Sequence, residues 1–565
     1  MRGHSWETVL MLAALLMLML VSACASKVEP ADMVLHNGKI VTVDAAKPEV
    51  QAIAIHGEVI AAVGSEKEIQ PYIGPSTTVI DLAGMLAIPG FIDSHGHLTG
   101  LGESKMQLDL GHAATWDDIV AMVAEAANKA KPGEYILGSG WHQEKWNRKP
   151  VPDVEGFPTH EALSKVSPDN PVLLMHASGH AVFANAKAME MANITRSTPD
   201  PTGGQVMHDA KGNPIGVFRE NAAGLVRKGA DEFVRKRMPD AIRLAIQECL
   251  SKGVTTFFDA GSSFETIDLL KQFADEGNLD IRLWVMISEG NQALQYNLAK
   301  YRIIDYGNKH LTVRAIKRFM DGALGSRTAW MLEPYADLPS STGINVDKVE
   351  DIVETARLAI ENGFQLCTHA IGDRANREVL NIYEAVFKAH PDKKNLRWRI
   401  EHAQHLNAAD IPRFGALGVI AAMQTIHCTS DAPYVLARLG AQRAEEGAYV
   451  WQKLMKCGAI ICNGTDTAVE DVNPIPNFYA AVTRKLKDGT VFYQDQRMTR
   501  EEALKSYTWN AAYSAFEEGT RGSLVAGKLA DITVLTKNIL TIPEDEILTA
   551  AVKYTIVGGK LMYSR

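Results

Sequence analysis

Ala87-Ile88-Pro89-Gly90-Phe91-Ile92-Asp93-Ser94-His95-Gly96-His97 is the stretch that decides the fold of this chain. A short apolar run ends here in His-x-His, which predicts a buried strand with two imidazoles at its C-terminal end. Side chains two residues apart on a strand point to the same face. Both rings can therefore reach one metal ion, and neutral imidazole is a common zinc ligand.

Strand and helix patterns alternate through the middle of the chain, which predicts a parallel sheet or barrel. Helical patterns over Val349–Asn362 and Ala375–Ala389 separate two pairs of these strands. Eight strands suit an α/β fold of the (β/α)8 TIM-like barrel type. The predicted strands are Leu86–Asp93, Thr255–Asp259, Ile281–Met286, Val313–Phe319, Gln365–His369, Arg397–His402, Val419–Gln424 and Ala459–Gly464.

The two ends of the chain predict a second, smaller domain. Asn37-Gly38 within Met33–Val43 is typical of a hairpin, and a β pair is expected around Gly57-Glu58. Economical packing joins residues 31–86 and 520–565 in one composite β-sandwich domain and leaves 87–519 for the barrel. Residues from about 104 to 235 do not follow the strand–helix repeat, so we expect a large cap insertion after the first strand.

The N-terminus has the pattern of an export signal. Val9–Val21 is an apolar run of signal-peptide length, and Val21-Ser22-Ala23-Cys24 resembles a bacterial lipobox. This predicts a lipoprotein signal peptide over residues 1–23, a tether over 24–30 and a lipid anchor on the membrane at Cys24. Ala25 then favours the periplasmic face of the outer membrane in a Gram-negative host. An ordinary cleaved secretory signal is the alternative.

Composition limits the class of protein. The chain has 565 residues, 46% of them hydrophobic, which is ample for a large core. A formal net charge of -9 and the absence of a long basic run argue against nucleic acid as a partner. Beyond Cys24 there are five cysteines, without any Cys-x-x-Cys pair, so we expect buried free thiols rather than a disulfide framework.

Polar side chains fall where a barrel places its catalytic groups, at the C-terminal ends of strands. A single histidine at such a position is more often structural, but this many on successive strands are hard to explain structurally. The candidates are His95, His97, Lys317, His369, His402 and Asp466. His405 follows His402 closely and is expected to be structural.

At these positions the chain resembles the amidohydrolase superfamily, family 3. It is most similar to the branch of metal-dependent hydrolases that includes N-substituted formamide deformylases. The motifs that carry the resemblance span the chain: IPGFIDSHGH, IKRFMDGALGSRTAW, QLCTHAIGDRA, RIEHAQHL, MQTIHCTSDAPY and NGTDTAVEDVNP. One departure is Thr467-Ala468, where the branch usually has Ala-Pro after the last aspartate.

The resemblance implies two divalent metal ions, with zinc expected, at the mouth of the barrel. His95, His97 and Asp466 would bind one ion, and His369 and His402 the other. Lys317 would bridge them after carboxylation by CO2, because a free ammonium group cannot bind a cation. The alternative for Lys317 is an ordinary salt bridge.

The same resemblance implies hydrolysis of a linear or cyclic amide, of N-acyl or N-formyl type, by a metal-bound hydroxide. Asp466 would act as general base and then as general acid. His427 would stabilise the oxyanion, or be structural instead. Trp141, His142 and His180 of the cap would contact substrate. Arg327 would meet an anionic substrate, or form a loop salt bridge.

Two further readings of function stay open. The same metal site suits an ester, a carbamate or the deamination of an amine, since the attacking group does not select the leaving group. A non-catalytic surface lipoprotein that binds a small ligand is the second alternative, because fold alone does not establish function. Members of the branch often self-associate, which leaves a homo-oligomer open.

Overall fold

The computed structural model describes residues 28–177 and 180–565, which divide into two compact units. Among the described residues, one unit combines residues 28–90 with Phe516–Arg565, and the other lies within Phe91–Ala515. The predicted signal peptide and Cys24 lie outside the described residues, so the lipid anchor stays a prediction. Within the described ranges, no helix has both the length and the apolar character needed to cross a bilayer.

The unit formed by the chain ends contains two sheets. Buried side chains of both sheets, such as Leu35 and Ile532, belong to one apolar cluster. The four-stranded sheet has the order Val59–Gly64, Ala52–His56, Met33–His36, Thr78–Asp81. The six-stranded sheet has the order Lys560–Ser564, Val552–Val557, Ile532–Leu535, Leu86–Pro89, Lys39–Val41, Glu49–Val50. The short helices of this unit are Glu66–Ile69, Gln70–Tyr72 and Glu544–Thr549.

The predicted hairpin at Asn37-Gly38 is wrong. Met33–His36 belongs to the four-stranded sheet and Lys39–Val41 to the six-stranded one. A two-residue type I′ turn needs positive φ at both central residues, and only Asn37 has it, with φ 55°. Gly38 serves close packing instead, since a Cβ there would lie 2.5 Å from Leu82. The pair predicted around Gly57-Glu58 is confirmed.

The second unit contains a nearly closed barrel of eight parallel strands. Each strand pairs with the next in chain order. The strands are Phe91–Gly96, Val254–Ser262, Arg282–Ile287, Leu311–Phe319, Gln365–Ala370, Arg399–His402, Ile420–Met423 and Ile461–Asn463. Just beyond the last strand, the N–H of Asp466 donates to the carbonyl of His95 at 2.7 Å, and the N–H of His97 donates to the carbonyl of Thr467 at 2.6 Å. The predicted TIM-like barrel is therefore confirmed.

The first predicted strand, Leu86–Asp93, divides at Gly90. Leu86–Pro89 pairs with Ile532–Leu535 in the unit of the chain ends, and Phe91–Gly96 is the first barrel strand. Pro89 has no N–H with which to continue a ladder. The N–H of Gly90 donates to the carbonyl of Asp531 at 2.9 Å. One apolar run in the sequence therefore contributes a strand to each of two sheets.

Helices connect the barrel strands. Val349–Asn362 matches its prediction, and the predicted Ala375–Ala389 begins earlier, at Asp373. The others are Leu98–Lys105, Met238–Ser251, Phe264–Asp275, Asn291–Tyr301, Tyr306–Lys309, Ile411–Leu417, Thr425–Leu439, Ala441–Gly447, Trp451–Lys456, Pro474–Thr483, Gln494–Gln496, Arg500–Ser506 and Trp509–Ser514. A short strand, Ile303–Asp305, flanks the barrel strand Leu311–Phe319.

A separate sheet lies in sequence between the first two barrel strands. Its order is Gly204–His208, Pro214–Glu220, Ala181–Ala184, Val172–His176, Ile136–Trp141, Leu108–Asp109. A two-stranded pair, Asp153–Val154 with Phe157–Pro158, and helices Trp116–Lys129, Gln143–Lys145, Glu161–Val166, Ala186–Met191 and Ala223–Lys236 accompany it. Trp116, Trp141 and Phe183 pack in its core. That this insertion covers the site stays a prediction.

The backbone packs closely around Gly464, beside the closure of the barrel. A Cβ at this position would lie 2.4 Å from the backbone nitrogen of His95 and 2.7 Å from a carboxylate oxygen of Asp93. We expect Gly464→Ala to lower the free energy of unfolding by about 3 kcal/mol, because overpacking forces backbone shifts. Denaturant titration measures the change. The control is Gly224→Ala, on a helix where a Cβ meets nothing within 4 Å; an equal loss in both variants would contradict the prediction.

Candidate metal centre

Three predicted ligands converge where the first and last barrel strands end. Asp466 Oδ1 lies 3.3 Å from His97 Nε2 and 3.6 Å from His95 Nε2. His95 and Asp466 are buried, and one ligand atom from each of the three residues lies within 4.8 Å of the others. A carboxylate with two imidazoles is a donor set that zinc accepts.

A second group shares the same carboxylate. His402, His427 and Asp466 also offer ligand atoms within 4.8 Å of one another. Asp466 Oδ2 lies 3.8 Å from His427 Nε2 and 4.0 Å from His402 Nδ1. His369, which the sequence predicts as a ligand with His402, is in neither group, although its ring centroid lies 4.5 Å from that of His402. Its Nε2 lies 3.3 Å from the carbonyl of Gly322.

Lys317 lies at the floor of the same site. It is 1% exposed, and its Nζ lies 3.4 Å from His95 Nε2. No carboxylate in the described part of the chain is within ion-pair distance of it, so the salt-bridge alternative has no partner. Burial lowers the pKa of Lys317. A buried amine with a lowered pKa favours the neutral form.

Glu401 orients His95, and the sequence reasoning missed it. The carboxylate accepts a hydrogen bond from His95 Nδ1 and two from Arg399, at 2.7 and 2.9 Å. All three side chains are fully buried. Burial raises the pKa of Glu401, but Arg399 and His95 outweigh it and hold the pKa at about 2. An ionised Glu401 requires a proton on Nδ1 of His95, which leaves Nε2 free to bind metal.

Buried amide side chains orient the rings of His402 and His427. The side-chain oxygen of Gln424 lies 2.7 Å from His402 Nδ1, and the Gln404 amide lies 3.0 Å from His427 Nδ1. Burial lowers the pKa of His95 to about 4 and that of His369 to about 3. These two imidazoles are therefore neutral at neutral pH, the form that binds metal.

Two buried aspartates brace the loops of the site. Asp93 accepts hydrogen bonds from the N–H of Thr465 at 3.0 Å and from its hydroxyl at 2.5 Å. Asp321 accepts from the N–H groups of Ile371 and Gly372, at 2.9 and 2.8 Å. Burial raises the pKa of each aspartate to about 7. Both therefore hold the loops that carry the ligands rather than reach the cavity.

The backbone is strained at two of the ligands. His402 has φ 75° and Asp466 has φ 59°, in the left-handed region that non-glycine residues seldom adopt. Such strain costs about 1–3 kcal/mol for each residue and clusters at functional sites. The surrounding packing therefore holds these two side chains in place at the expense of stability.

The metal groups open into a cavity of about 390 Å³. His97, Lys317, His369, His402, His427 and Asp466 line it, so the structure brings six of the predicted residues together. Apolar side chains line one part of it, including Phe319, Leu324, Ile371 and Val469. Within the described ranges, the four residues predicted to contact substrate are not in its lining.

Those four residues have other partners. Trp141 is fully buried, and its indole N–H donates to the carbonyl of Leu174 at 3.0 Å. The ring centroid of His142 lies 4.6 Å from that of His176, and His180 Nδ1 lies 3.1 Å from Glu220. Arg327 donates to both carboxylate oxygens of Asp337, at 3.2 and 2.9 Å, which is the loop salt bridge weighed as its alternative.

The thiols and His405 are separate from this chemistry. Cys249, Cys367, Cys428 and Cys462 are free and buried, as expected, whereas Cys457 is free and exposed. His405 is buried, outside both metal groups, as a structural histidine would be.

Comparisons with known proteins now decide the family. The model of the amidohydrolase family matches residues 78–563. The chain belongs to the amidohydrolase family. The resemblance seen in its motifs is thereby confirmed.

Three relatives illustrate the range of this amidohydrolase. It is 34% identical to "Protein LONG AFTER FAR-RED 3" of Arabidopsis thaliana, over 94% of this chain and 92% of that protein. It is 26% identical to the N-substituted formamide deformylase of Arthrobacter pascens, over 94% and 98%. The structure of an uncharacterized metal-dependent hydrolase from Pyrococcus furiosus superposes with a TM-score of 0.74 and 27% identity, over 90% of this chain and 100% of that one.

Membership of the family establishes the general activity. The protein is a metal-dependent hydrolase of a family that acts on carbon–nitrogen bonds in small molecules.

Proposed function

We propose that this amidohydrolase cleaves an amide bond of N-acyl or N-formyl type, with Asp466 as the group that moves the proton. The position of Asp466 carries the proposal, because its carboxylate is shared by both groups of metal-ligating side chains. The relative that is a formamide deformylase supports the choice of bond.

The residues present fit divalent metal ions. The ring proton of His95 is directed to Glu401, which leaves its other nitrogen as a lone-pair donor. His95, His97 and Asp466 would hold one ion, and His402 with His369 a second. His427 Nε2, which is buried without a hydrogen-bond partner in the described part of the chain, is then left for the substrate. Bound ions of this kind polarise a carbonyl and lower the pKa of a water to about 7.

The chain's own groups then supply the proton transfers. Burial raises the pKa of Asp466, but the hydrogen bond from His97 and the nearby imidazoles outweigh it and hold the pKa well below its usual range. Asp466 is therefore ionised and ready to take a proton from the attacking water, and it returns that proton to the leaving nitrogen. We assign His427 Nε2, which faces the cavity, to the oxygen of the scissile carbonyl.

Carboxylation of Lys317 forms part of this proposal. Burial lowers the pKa of its amine, which favours the neutral form that adds to CO2, and the amine lies beside His95. A carbamate would give this position the anionic oxygens that an ammonium lacks.

Metal loading tests the proposed function. Protein that is purified, stripped with a chelator and reloaded with zinc and bicarbonate is assayed on N-butylformamide and N-butylacetamide, with butyl acetate as the ester control. We expect about two zinc ions per chain by elemental analysis, amide hydrolysis only in the loaded protein, and slower ester turnover. Hydrolysis that survives metal removal, or that is confined to the ester, would refute the proposal.

A further inference from the structure

One face of the helix Thr425–Leu439 lies along the cavity and extends away from the metal groups. His427, Asp431 and Tyr434 all line the cavity, at spacings of four and three residues. Residues so spaced share a helix face, and four residues rise about 6 Å along the axis. Asp431 therefore lies about one turn further from the metal groups than His427.

The charge of Asp431 is not neutralised. Its carboxylate accepts hydrogen bonds from the hydroxyls of Tyr434 and Tyr449, the latter at 2.6 Å. Both donors are neutral, and each carboxylate oxygen can accept a further hydrogen bond. Among the described residues, no lysine, arginine or histidine forms an ion pair with Asp431. A half-buried carboxylate thus faces the cavity without a cation.

Glu470 adds a second carboxylate to the same cavity. It follows Asp466 by four residues, lines the cavity and is half-buried. Arg327 and Arg438, which follow lining segments of the chain, both bind the single carboxylate of Asp337. Of the residues in the lining, Lys317 at the metal groups is the single lysine or arginine. Beyond the metal groups, the lining therefore has two carboxylates and no lysine or arginine side chain.

The buried His427 Nε2, assigned above to the scissile carbonyl, indicates where one end of a ligand lies. It is a polar atom without a hydrogen-bond partner in the described chain, its residue is 7% exposed, and it lines the cavity on the same helix face as Asp431. Buried polar atoms normally have partners. A ligand that satisfies His427 at one end reaches Asp431 at the other.

We infer that the substrate is a cationic amide: an N-acyl amine that bears an ammonium or guanidinium group about 6 Å from the scissile carbonyl, held between Asp431 and Glu470. This inference rests on the proposed function and deepens it by naming the substrate class. Phe319, Leu324 and Ile371 line the cavity as well and suit a short apolar spacer between the two polar ends. Anionic amides are disfavoured, because like charges brought together are repelled.

Three amides of equal length test the inference. They are monoformylated diaminobutane, which is cationic, N-pentylformamide, which is neutral, and the N-formyl derivative of aminobutyric acid, which is anionic. We expect kcat/KM of the zinc-loaded protein to be about 10-fold or more higher for the cationic amide than for the neutral one, and lowest for the anion. In Asp431→Asn and in Glu470→Gln we expect the cationic-to-neutral ratio to fall toward one.

The ratio isolates charge recognition from catalysis. Asp431 also contacts His427 indirectly, through Tyr449 and Gln404. If its substitution lowered activity by this route, the rates for the cationic and the neutral amide would fall together and their ratio would not change. Glu445→Gln is the control, because this exposed carboxylate is outside the cavity lining, and we expect its ratio to equal that of the wild type.

A binding measurement separates recognition of the cation from the proposed amide hydrolysis. Calorimetry with butylamine on the zinc-loaded protein reports amine binding without turnover, and we expect at least a 10-fold weaker affinity in either variant. Amide hydrolysis with equal rates for the cationic and neutral amides, and a dissociation constant unchanged in the variants, would overturn the cationic substrate and leave the proposed function standing. Amine binding that depends on both carboxylates, without hydrolysis of any amide, would overturn the proposed function while the charge recognition stands.

Discussion

Asp466→Asn should lower kcat for a simple N-formyl amine by about 10²- to 10⁴-fold, the usual contribution of a general base. The amide has nearly the same shape as the carboxylate, so the hydrogen bonds of the barrel closure, made by the backbone of this residue, are preserved. The variant loses the carboxylate oxygen that accepts the proton. In the wild type this oxygen, Oδ1, lies 3.3 Å from His97 Nε2 and 3.6 Å from His95 Nε2. Steady-state kinetics with the metal content measured in the same sample provides the result.

The matched control is Asp471→Asn, an exposed aspartate five residues further along the chain. We expect unchanged kcat, since an asparagine can still accept the hydrogen bond from the N–H of Asn473. Turnover of Asp466→Asn within a factor of about three of the wild type, with full metal, would remove Asp466 from proton transfer and transfer that role to another group of the cavity.

Glu401→Gln has the second large expected effect, on stability and on metal affinity together. The substitution leaves Arg399 buried without a counter-charge, and breaking such a pair costs about 3–5 kcal/mol. It also weakens the acceptor that fixes His95, and loss of such a partner typically costs about 10- to 100-fold in metal affinity. Denaturant titration and competition with a zinc chelator measure the two quantities separately.

A double variant separates the two effects. Arg399→Met with Glu401→Gln removes the uncompensated charge, so we expect part of the lost unfolding free energy to return while metal affinity stays low. If metal affinity recovered as well, His95 would not depend on Glu401 for its orientation.

The pH dependence of this pair has a definite sign. The pKa of Glu401 is lowered from 4.5 to about 2 in the folded chain. A lowered carboxyl pKa contributes stability that is fully present above the unfolded value and is lost as pH falls through the folded value. The difference in stability between the wild type and Glu401→Gln is therefore expected to be largest above pH 4.5 and to shrink toward pH 2.

The repeating pattern of the barrel was predictable because each element follows local rules. Val349–Asn362 has the helical period and Gly363 ends it in the left-handed conformation (φ 70°), so the predicted helix has the observed bounds. By contrast, Asn37-Gly38 carries a strong local signal for a hairpin, yet burial of the flanking strands in two different sheets overrides it.

Partners that are distant in sequence were not predictable. Glu401 stands in the buried strand Arg399–His402 beside a predicted ligand, which indicates that a buried charge needs a partner, but its partner His95 is 306 residues away. Trp141 was predicted to contact substrate, yet the packing of the insertion places it in a core. Whether an aromatic side chain meets a ligand or a neighbouring sheet depends on contacts that a single segment does not contain.

The sequence by itself determined the barrel, the family and the types of ligand, because strand periodicity and the choice of histidine, lysine and aspartate at strand ends are properties of each segment. Only the tertiary structure decided which nitrogen of His95 is free to bind metal and that Arg327 forms a salt bridge with Asp337. It also decided that Asp431 and Glu470 line a cavity whose other lining residues form no ion pair with them. The physical reason is that protonation, pairing and burial depend on distances between side chains that folding brings together from remote parts of the chain.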